Sequence, residues 1–206
     1  MERFKNIKKL TDNPFLNMYE MDAVKRNGDL FKYYFATRRK EGDLRIETHS
    51  AEADGISLFA LYGEKRDSLV LIREYRFPIN DYIYDLPAGL IEPGEDPRNA
   101  AIREFKEETG MEFIPAEGGE AALRKGTYPT VGLTDEMIAT EYGYAKGEPD
   151  QRFLESSEDI TTVIADRQEL KRILREERVA LRAEYLIMLY LSMPEDDPFR
   201  FLNCLR

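Results

Sequence analysis

Hydrophobic and polar residues alternate in short segments through the first third of the chain, which is the pattern of β-strands. Leu16–Ala23 and Leu30–Thr37 flank Lys25-Arg26-Asn27-Gly28, and Asn-Gly between two such segments is a strong signal for a β-hairpin. Further strands are predicted at Ile56–Tyr62, Ser68–Arg73 and Tyr82–Leu86. The chain is therefore predicted to begin with a β-rich region.

The second half of the chain combines helical periodicity with two further strands. A helix begins after Asp96, a favourable N-cap, with Pro97 at its first position, and it ends at Gly110, a typical C′ residue. Strands are predicted at Ile138–Tyr144 and Ile160–Ala165, a turn or loop at Pro115–Gly119, and helices at Asp166–Glu176 and Ala180–Met193. The last helix is predicted to have an apolar face at Leu181, Tyr185, Met188 and Leu189. This order of elements predicts an α/β sandwich with a mixed sheet between helices.

Composition narrows the class of protein. The 206 residues are 42% apolar and 34% charged, which is typical of a soluble globular chain of one domain, with or without a small annex. A net charge of −10 argues against a nonspecific nucleic-acid binder, which needs a basic surface. The sequence begins without an apolar leader, has no apolar stretch long enough to span a bilayer, and contains a single cysteine, Cys204. These features predict a cytoplasmic protein without a membrane or nucleic-acid partner.

The single histidine limits the possible chemistry. His49 lies in a polar segment, Glu47–Glu52, and is expected to be a solvated loop residue. Catalysis by a histidine pair and metal sites with two histidines are excluded, because the chain has only one histidine. An acidic enzyme that acts on a phosphorylated substrate would therefore have to neutralise it with a metal ion or with a few arginines.

Three carboxylates share one face of the helix that follows Asp96. Glu104, Glu107 and Glu108 stand at i, i+3 and i+4, where like charges destabilise a helix by roughly a few tenths of a kcal/mol per pair. A solvated surface is the ordinary explanation of such a cluster, and a calcium site would favour an Asp-rich loop instead. Oxygen ligands alone favour Mg²⁺ or Mn²⁺ over zinc. Ala100 and Ala101, one turn earlier, are expected to leave space for metal, water and phosphate.

The loop before this helix favours a functional site. It runs from Gly89 to Glu95 and contains a proline, and Arg103 is placed to pair with a neighbouring carboxylate. The whole segment resembles the Nudix box, whose fixed positions are matched by Gly89, Glu95, Arg103, Glu104, Glu107, Glu108 and Gly110. Phe105 is a soft departure, because a smaller aliphatic residue is more usual there. The order of strands and helices is consistent with the Nudix fold over most of the chain.

The resemblance implies a metal-dependent pyrophosphohydrolase that cleaves the diphosphate of a nucleoside-diphosphate compound. It implies Mg²⁺ (or Mn²⁺) as cofactor, and a water molecule that attacks one phosphorus. The metal ligands carried over from the family are Glu104 and Glu108, with Glu107 assisting, and the carbonyl of Ala88. Glu95 is expected to support the junction of loop and helix rather than to bind metal.

Flanking segments are similar to the ADP-ribose pyrophosphatase branch. Arg76, at the end of Leu71–Arg76, corresponds to an arginine that contacts substrate in that branch, and Asp85–Gly89 matches its entry to the box. Tyr128–Glu136 resembles its Ser-Pro-Gly loop, although Val131 replaces the diagnostic proline and the extra segment Glu117–Gly126 displaces the loop. ADP-ribose, cleaved to AMP and ribose 5-phosphate, is therefore the favoured substrate. Another nucleoside-diphosphate sugar or a dinucleotide is the alternative, followed by a non-catalytic nucleotide-binding module.

The same branch implies a division of the chain into residues 1–50, a β-rich arm for dimerisation, and residues 51–206, the Nudix domain. In a homodimer of this kind the arm completes the partner's substrate pocket. Phe15 would then stack on the base, and Arg38 or Arg39 would close the pocket. Their ordinary interpretations are a core aromatic and two solvated strand-end charges.

The general base is expected outside the box, because bound cations lower the pKa of a carboxylate and make it a poor proton acceptor. The acidic loop Leu154–Asp159 is the candidate, since the branch takes its base from a late acidic loop. We assign Glu155 as the base and Glu158 as the residue that binds metal or orients water. A solvated loop remains an alternative, with Glu136 or a box glutamate as the next candidate for the base.

Overall fold

The computed structural model describes residues 3–154, 156 and 158–205. The strands are β1 (Phe4–Lys9), β2 (Asn17–Val24), β3 (Leu30–Thr37), β4 (Gly55–Tyr62), β5 (Ser68–Arg76), β6 (Asp81–Asp85), β7 (Ala88–Leu90), β8 (Glu112–Pro115), β9 (Ile138–Lys146) and β10 (Ile160–Asp166). The helices are α1 (Arg45–Thr48), α2 (Pro97–Thr109), α3 (Arg167–Glu176) and α4 (Leu181–Ser192). No helix formed by the described residues is long and apolar enough to cross a membrane.

The chain divides into two compact units. The first comprises the residues up to Glu52 together with Gly126–Met137, and the second comprises Ala53–Lys125 and Ile138–Arg206. The 126–137 segment thus groups with the N-terminal residues, although more than seventy positions of sequence separate them. The expected division at residue 50 stays a prediction about domains and dimerisation.

The first unit contains an antiparallel sheet in the order β1-β2-β3. The predicted hairpin is confirmed, with Asn17 opposite Thr37 and Val24 opposite Leu30. Gly28 has φ +94° in the turn, a conformation that glycine adopts at low cost. The buried core of this unit is formed by Tyr19, Phe35 and Leu44.

Arg45 connects the 126–137 segment to the rest of the first unit by hydrogen bonds. Its guanidinium is buried, with the residue 5% exposed, and Nε donates to the carbonyl of Asp135 at 2.9 Å. The other nitrogens of this group donate to the carbonyls of Ser50 and Glu52. A further hydrogen bond to this segment comes from the backbone N–H of Ala36, which donates to the carbonyl of Leu133 at 2.8 Å. His49 is exposed at the end of α1, as expected.

The second unit is built on a seven-stranded mixed sheet. Its main path is β10-β5-β4-β9-β8, with β6 added beside β5 and β7 beside β4. The pair β4–β9 is parallel and the other pairs are antiparallel. The two faces of the sheet carry separate hydrophobic clusters, since Phe59 and Leu71 belong to a cluster with α3 and α4, whereas Leu58 and Val70 belong to one with α2. The predicted α/β sandwich with a mixed sheet is therefore confirmed.

Helix α2 matches its prediction because its boundary signals are local. The side chain of Asp96 accepts a hydrogen bond from the backbone N–H of Arg98 at 3.0 Å, Pro97 is the first helical residue, and Gly110 has φ +72°. The expectation for Ala100 and Ala101 is wrong. Both are fully buried in the cluster between α2 and the sheet, where small side chains let the helix approach the strands, so they leave no space for a ligand.

The predicted apolar face of α4 is wrong as well. Leu181, Tyr185 and Met188 are each more than half exposed, and Leu189 is only partly buried. The helix buries a different set of residues, Ala183, Ile187 and Tyr190. Apolar residues surround most of this helix, so periodicity alone does not select the face that packs.

Candidate active site

A short strand and a tight turn bring α2 against the sheet. Strand β7 pairs with β4, with Ala88 opposite Ser57, and the backbone N–H of Glu95 then donates to the carbonyl of Glu92 at 2.9 Å. Gly94 has φ +80° in this turn. The loop from Gly89 to Glu95, which the sequence analysis singled out, therefore connects β7 directly to the N-cap of α2.

Arg103 connects three carboxylates at the junction of this loop and α2. Its Nε and Nη2 donate to the two carboxylate oxygens of Glu95 at 3.1 and 2.9 Å. Its Nη1 donates to Glu104 at 2.7 Å and to Glu107 at 3.0 Å, and Nη2 also reaches the carbonyl of Leu90 at 2.9 Å. The paired hydrogen bonds to Glu95 fix the plane of the guanidinium, which in turn orients the other two carboxylates. The expectation that Arg103 pairs with neighbouring carboxylates is confirmed.

Gly89 is required by close packing between β7 and α2. A Cβ atom at this position would overlap the carboxyl group of Glu104. The absence of a side chain therefore allows that carboxyl group to lie against the main chain of the strand. Burial raises the pKa of Glu104, while its hydrogen bond to Arg103 acts in the opposite direction.

Glu108 is the most deeply buried carboxylate of the helix, with 5% of the residue exposed. It accepts a hydrogen bond from the backbone N–H of Ala88 at 2.9 Å, which ties α2 to β7. Burial raises its pKa well above the usual range, and the charges of Glu74 and Glu104 act in the same direction. A buried carboxylate among other carboxylates favours either protonation or a cation nearby.

Glu74, on β5, is a second buried carboxylate of this group. It occupies the same face of the strand as Val70, on the side of the sheet that α2 covers. Only 7% of the residue is exposed, and burial raises its pKa to about 7, although its ion pair with Arg76 at 2.5 Å acts in the opposite direction. The sequence analysis did not assign Glu74. The signal was a charged residue at an inward position of an otherwise apolar strand.

Glu74, Ala88 and Glu108 border a cleft of about 280 Å³ in the second unit. Its lining is formed by Glu74, Tyr75, Arg76, Phe77, Pro78, Ala88, Glu108, Glu158, Asp159 and Ile160. Four residues selected from the sequence are therefore brought together here: Arg76, Ala88, Glu108 and Glu158. Glu104 and Glu107 do not line the cleft, and both accept a hydrogen bond from Arg103.

The other candidates do not lie along this cleft. Phe15, Arg38 and Arg39 belong to the first unit, where Phe15 is 78% exposed and Arg38 pairs with Glu136 at 3.1 Å. Arg39 lies 3.5 Å from Asp43. Their roles toward a substrate stay predictions. Glu155, the proposed base, lies outside the described residues.

The chemistry of the cleft fits a hard divalent cation. Its acidic side chains offer only oxygen donors, and a cation would offset the cost of burying Glu74 and Glu108 as charged groups. Within the described ranges, no three acidic, histidine or cysteine side chains are already grouped to hold an ion. Glu104 and Glu108 are each occupied by a hydrogen bond, to Arg103 and to the N–H of Ala88. A carboxylate has two oxygens with several lone pairs, so both side chains keep acceptor capacity for a cation.

Comparison with known proteins identifies the family of this chain. Residues 51–184 match the sequence pattern of the NUDIX domain, which is well over half of the chain. The chain belongs to the Nudix family. The resemblance inferred from the sequence is confirmed, and Nudix hydrolases generally use divalent metal ions such as Mg²⁺.

Curated relatives of this Nudix protein share different lengths of its sequence. Nudix hydrolase 2 of Caenorhabditis elegans is 32% identical over 58% of this chain and 55% of its own length. A methanol dehydrogenase activator of Bacillus methanolicus is 30% identical over 68% of this chain and 72% of its own length. An ADP-ribose pyrophosphatase of Saccharomyces cerevisiae is 38% identical over 35% of this chain and 34% of its own length. The chain thus spans between about a third and three quarters of these relatives.

Solved structures support the fold of the Nudix protein over most of its length. A crystal structure of an ADP compounds hydrolase superposes with a TM-score of 0.59 and covers 84% of this chain and 82% of the other. The two sequences are 19% identical, so this likeness concerns the fold alone.

Proposed function

We propose that this chain hydrolyses the diphosphate bond of a nucleoside-diphosphate compound with the help of Mg²⁺, and that ADP-ribose is its substrate. The products would be AMP and ribose 5-phosphate. The observation that carries the proposal is the buried Glu108, held on the N–H of Ala88 and facing the same cleft as Glu74 and Glu158. The chain also carries every fixed polar and glycine position of the Nudix box.

The choice of ADP-ribose is supported by the relatives. One is an ADP-ribose pyrophosphatase of Saccharomyces cerevisiae, and another is an ADP-ribose pyrophosphatase of Bacillus subtilis that is 40% identical over 72 residues. The segment Leu71–Arg76 and the entry to the box agree with that branch. Another nucleoside-diphosphate sugar or a dinucleotide is the alternative, because the box determines the bond that is cleaved and not the groups on either side of it.

In the proposed mechanism, residues of the cleft and of the adjoining part of α2 each have a task. Glu104, Glu107, Glu108 and the carbonyl of Ala88 would hold Mg²⁺, which when bound neutralises phosphate oxygens and activates water. Arg103 keeps two of these carboxylates oriented through its hydrogen bonds. Arg76 is exposed beside the buried carboxylates and would bind a phosphate oxygen of the substrate.

The proton of the attacking water is assigned to the acidic loop. Water attacks one phosphorus, the bridging P–O bond breaks, and the second phosphate leaves with the bond's electron pair. A carboxylate outside the metal ligands takes the proton that the water loses. Glu155 is the proposed acceptor, and Glu158, which lines the cleft, is proposed to orient the water or to contact the metal.

We further propose a homodimer in which residues 1–50 contribute to the partner's substrate pocket. Phe15 would stack on the base, and Arg38 or Arg39 would close the pocket. This proposal is supported by the family resemblance and by the exposure of Phe15. Sedimentation at micromolar concentration tests it, since a fully active monomer would contradict it. A cytoplasmic location is proposed from the single, free Cys204.

A substrate panel tests the proposed function. ADP-ribose, other nucleoside-diphosphate sugars and a dinucleotide are incubated with Mg²⁺, and phosphate is measured after treatment with a phosphatase that acts only on phosphomonoesters. ADP-ribose is expected to give the highest kcat/KM. A higher value with another compound would reassign the substrate, and no release from any compound would favour a nucleotide-binding module without catalysis.

A further inference from the structure

A row of aromatic side chains in edge-on contact runs from β6 across β5 to the cleft. Tyr75 and Tyr82 are directly opposite each other in the pair β5–β6, with ring centroids 5.4 Å apart. The guanidinium of Arg73 lies 4.0 Å from the ring centroid of Tyr82. At the other end, Phe77 packs edge-on against Tyr75 at 5.2 Å. The row therefore ends at Phe77, which lines the cleft.

Phe77 is both exposed and held in place. It begins a short 3₁₀ turn with Pro78 as its second residue, and Asn80 closes this turn by donating its N–H to the carbonyl of Phe77 at 3.1 Å. The hydroxyl of Tyr75 donates to the side chain of Asn80 at 2.6 Å. Yet 78% of Phe77 is exposed. An aromatic ring held by its neighbours loses little conformational freedom when a ligand covers it.

The cleft thus places two kinds of surface next to each other. Its interior is formed by the buried carboxylates Glu74 and Glu108, with Arg76 as the adjoining cation. Its rim is the exposed ring of Phe77. A ligand that matches both surfaces carries phosphate groups joined to a ring with a flat or apolar face. Nucleobases and sugars both have such a face.

We propose that Phe77 is a specificity-determining contact that stacks on the ring attached to the diphosphate of the substrate. This inference rests on the proposed function, because it takes the same cleft as the diphosphate site. Phe77, a residue of the second unit, would thus contact the substrate in addition to Phe15. The ring is either the nucleobase or the sugar on the far side of the diphosphate.

A fluorescence titration tests this contact without any turnover. The chain contains no tryptophan, so Phe77→Trp introduces a single reporter at the rim of the cleft. AMP and ribose 5-phosphate are titrated separately in the presence of Mg²⁺. Tyr185→Trp is the control, because Tyr185 is 62% exposed on α4 and does not line the cleft.

The proposal predicts that one of the two compounds changes the emission of Phe77→Trp in a saturable way and leaves Tyr185→Trp unchanged. A response to AMP assigns the ring to the base, and a response to ribose 5-phosphate alone assigns it to the sugar. Calorimetry on the wild type establishes that the compounds bind. Binding without a response of Phe77→Trp, or an equal response of both variants, would overturn the proposal.

Steady-state kinetics provide the second test. Phe77→Ala is expected to raise the KM for ADP-ribose by about tenfold with little change in kcat, because stacking binds the ground state and the transition state alike. Phe77→Tyr should restore the wild-type KM, and Tyr185→Ala should leave it unchanged. An unchanged KM in Phe77→Ala, in a wild type that hydrolyses ADP-ribose, would refute the role of Phe77 and leave the proposed function intact. If the wild type hydrolyses no diphosphate, the proposed function fails while the fluorescence test still decides whether Phe77 contacts a ligand.

Discussion

At the scale of single residues, the main feature of the cleft is a pair of buried carboxylates, whose charged forms cost free energy to bury. Glu74 and Glu108 are nearly inaccessible to water, and burial raises the pKa of both side chains. Arg103 has the opposite effect on the exposed side of the group, where its hydrogen bonds lower the pKa of Glu95. Glu108 and Arg103 were found from the sequence because they belong to a motif. Glu74 was missed because its importance depends on the face of β5 that α2 covers.

The first prediction concerns Glu74 and the pH dependence of stability without divalent metal. Its pKa of about 7 in the folded state exceeds the ordinary value of 4.5. The folded chain therefore binds more protons than the unfolded chain between these values, so the free energy of unfolding should fall as pH rises from about 4.5 to 7. Glu74→Gln should remove about 3 kcal/mol of this decline.

Urea unfolding in the presence of a chelator, at several pH values, measures this effect. Glu64→Gln, in the exposed turn between β4 and β5, is the control and should retain the wild-type slope. If Glu74→Gln also retains that slope, the burial of this carboxylate does not govern the pH dependence.

The second prediction concerns the proton acceptor. Glu155→Gln should lower kcat by roughly 10²–10⁴-fold at saturating ADP-ribose and Mg²⁺, with KM little changed, because a general base acts on the chemical step. Glu158→Gln should lower turnover as well, through the metal or the water. If neither substitution costs even tenfold, the base lies elsewhere, with Glu136 or a box glutamate as the next candidate.

At the scale of secondary-structure elements, the features with a local sequence signal were predicted correctly. The packed face of α4, which depends on tertiary contacts, was not. Helix α2 was predicted with its boundaries because Asp96, Pro97 and Gly110 determine its ends locally. The hairpin of β2 and β3 followed from its Asn-Gly turn in the same way. Strands β7 and β8 escaped prediction because they have only three and four residues, and β1 escaped because three of its six residues are lysines and only two are apolar. The packed face of α4 depends on the sheet beneath it, which periodicity does not describe.

The corrected face of α4 gives a prediction from two adjacent residues. Ile187 is fully buried, whereas Met188 is 51% exposed. Ile187→Ala should destabilise the protein by about 2–5 kcal/mol because it leaves a cavity, and Met188→Ala should change stability by less than about 0.5 kcal/mol. Chemical denaturation of both variants measures the difference. Equal effects, or a larger loss for Met188→Ala, would show that the helix packs with the other face.

The approach of β7 to α2 gives another prediction. Gly89→Ala should displace the carboxyl group of Glu104, which a Cβ atom would overlap. We expect kcat to fall by at least about tenfold while the far-ultraviolet circular dichroism is retained, since about 1.4 kcal/mol of lost transition-state stabilisation is tenfold in rate. Gly132→Ala is the matched control, because no heavy atom lies within 4 Å of a Cβ at that position. A fully active Gly89→Ala would mean that this close contact is not needed.

At the scale of the whole molecule, the sequence predicted the layers of the sandwich but not the grouping of its segments. The order of elements gave the α/β sandwich, and the mixed sheet with α2 on one face and α3 and α4 on the other confirms it. The 126–137 segment groups with the N-terminal residues through Arg45 and Ala36, which are long-range contacts without a local signal. The resemblance to a known family supplied the substrate class, which composition and periodicity do not contain.

The measurement that tests the account most directly is product analysis of ADP-ribose hydrolysis with Mg²⁺. Wild-type protein should convert ADP-ribose to AMP and ribose 5-phosphate in equal amounts, as measured by liquid chromatography and mass spectrometry. Glu108→Gln and Glu104→Gln should each lower the rate by at least about a hundredfold while remaining folded, because a neutral amide is a poor substitute for a charged metal ligand. Near-normal turnover in either variant at saturating Mg²⁺, or a wild type that forms no AMP from ADP-ribose, would contradict the account.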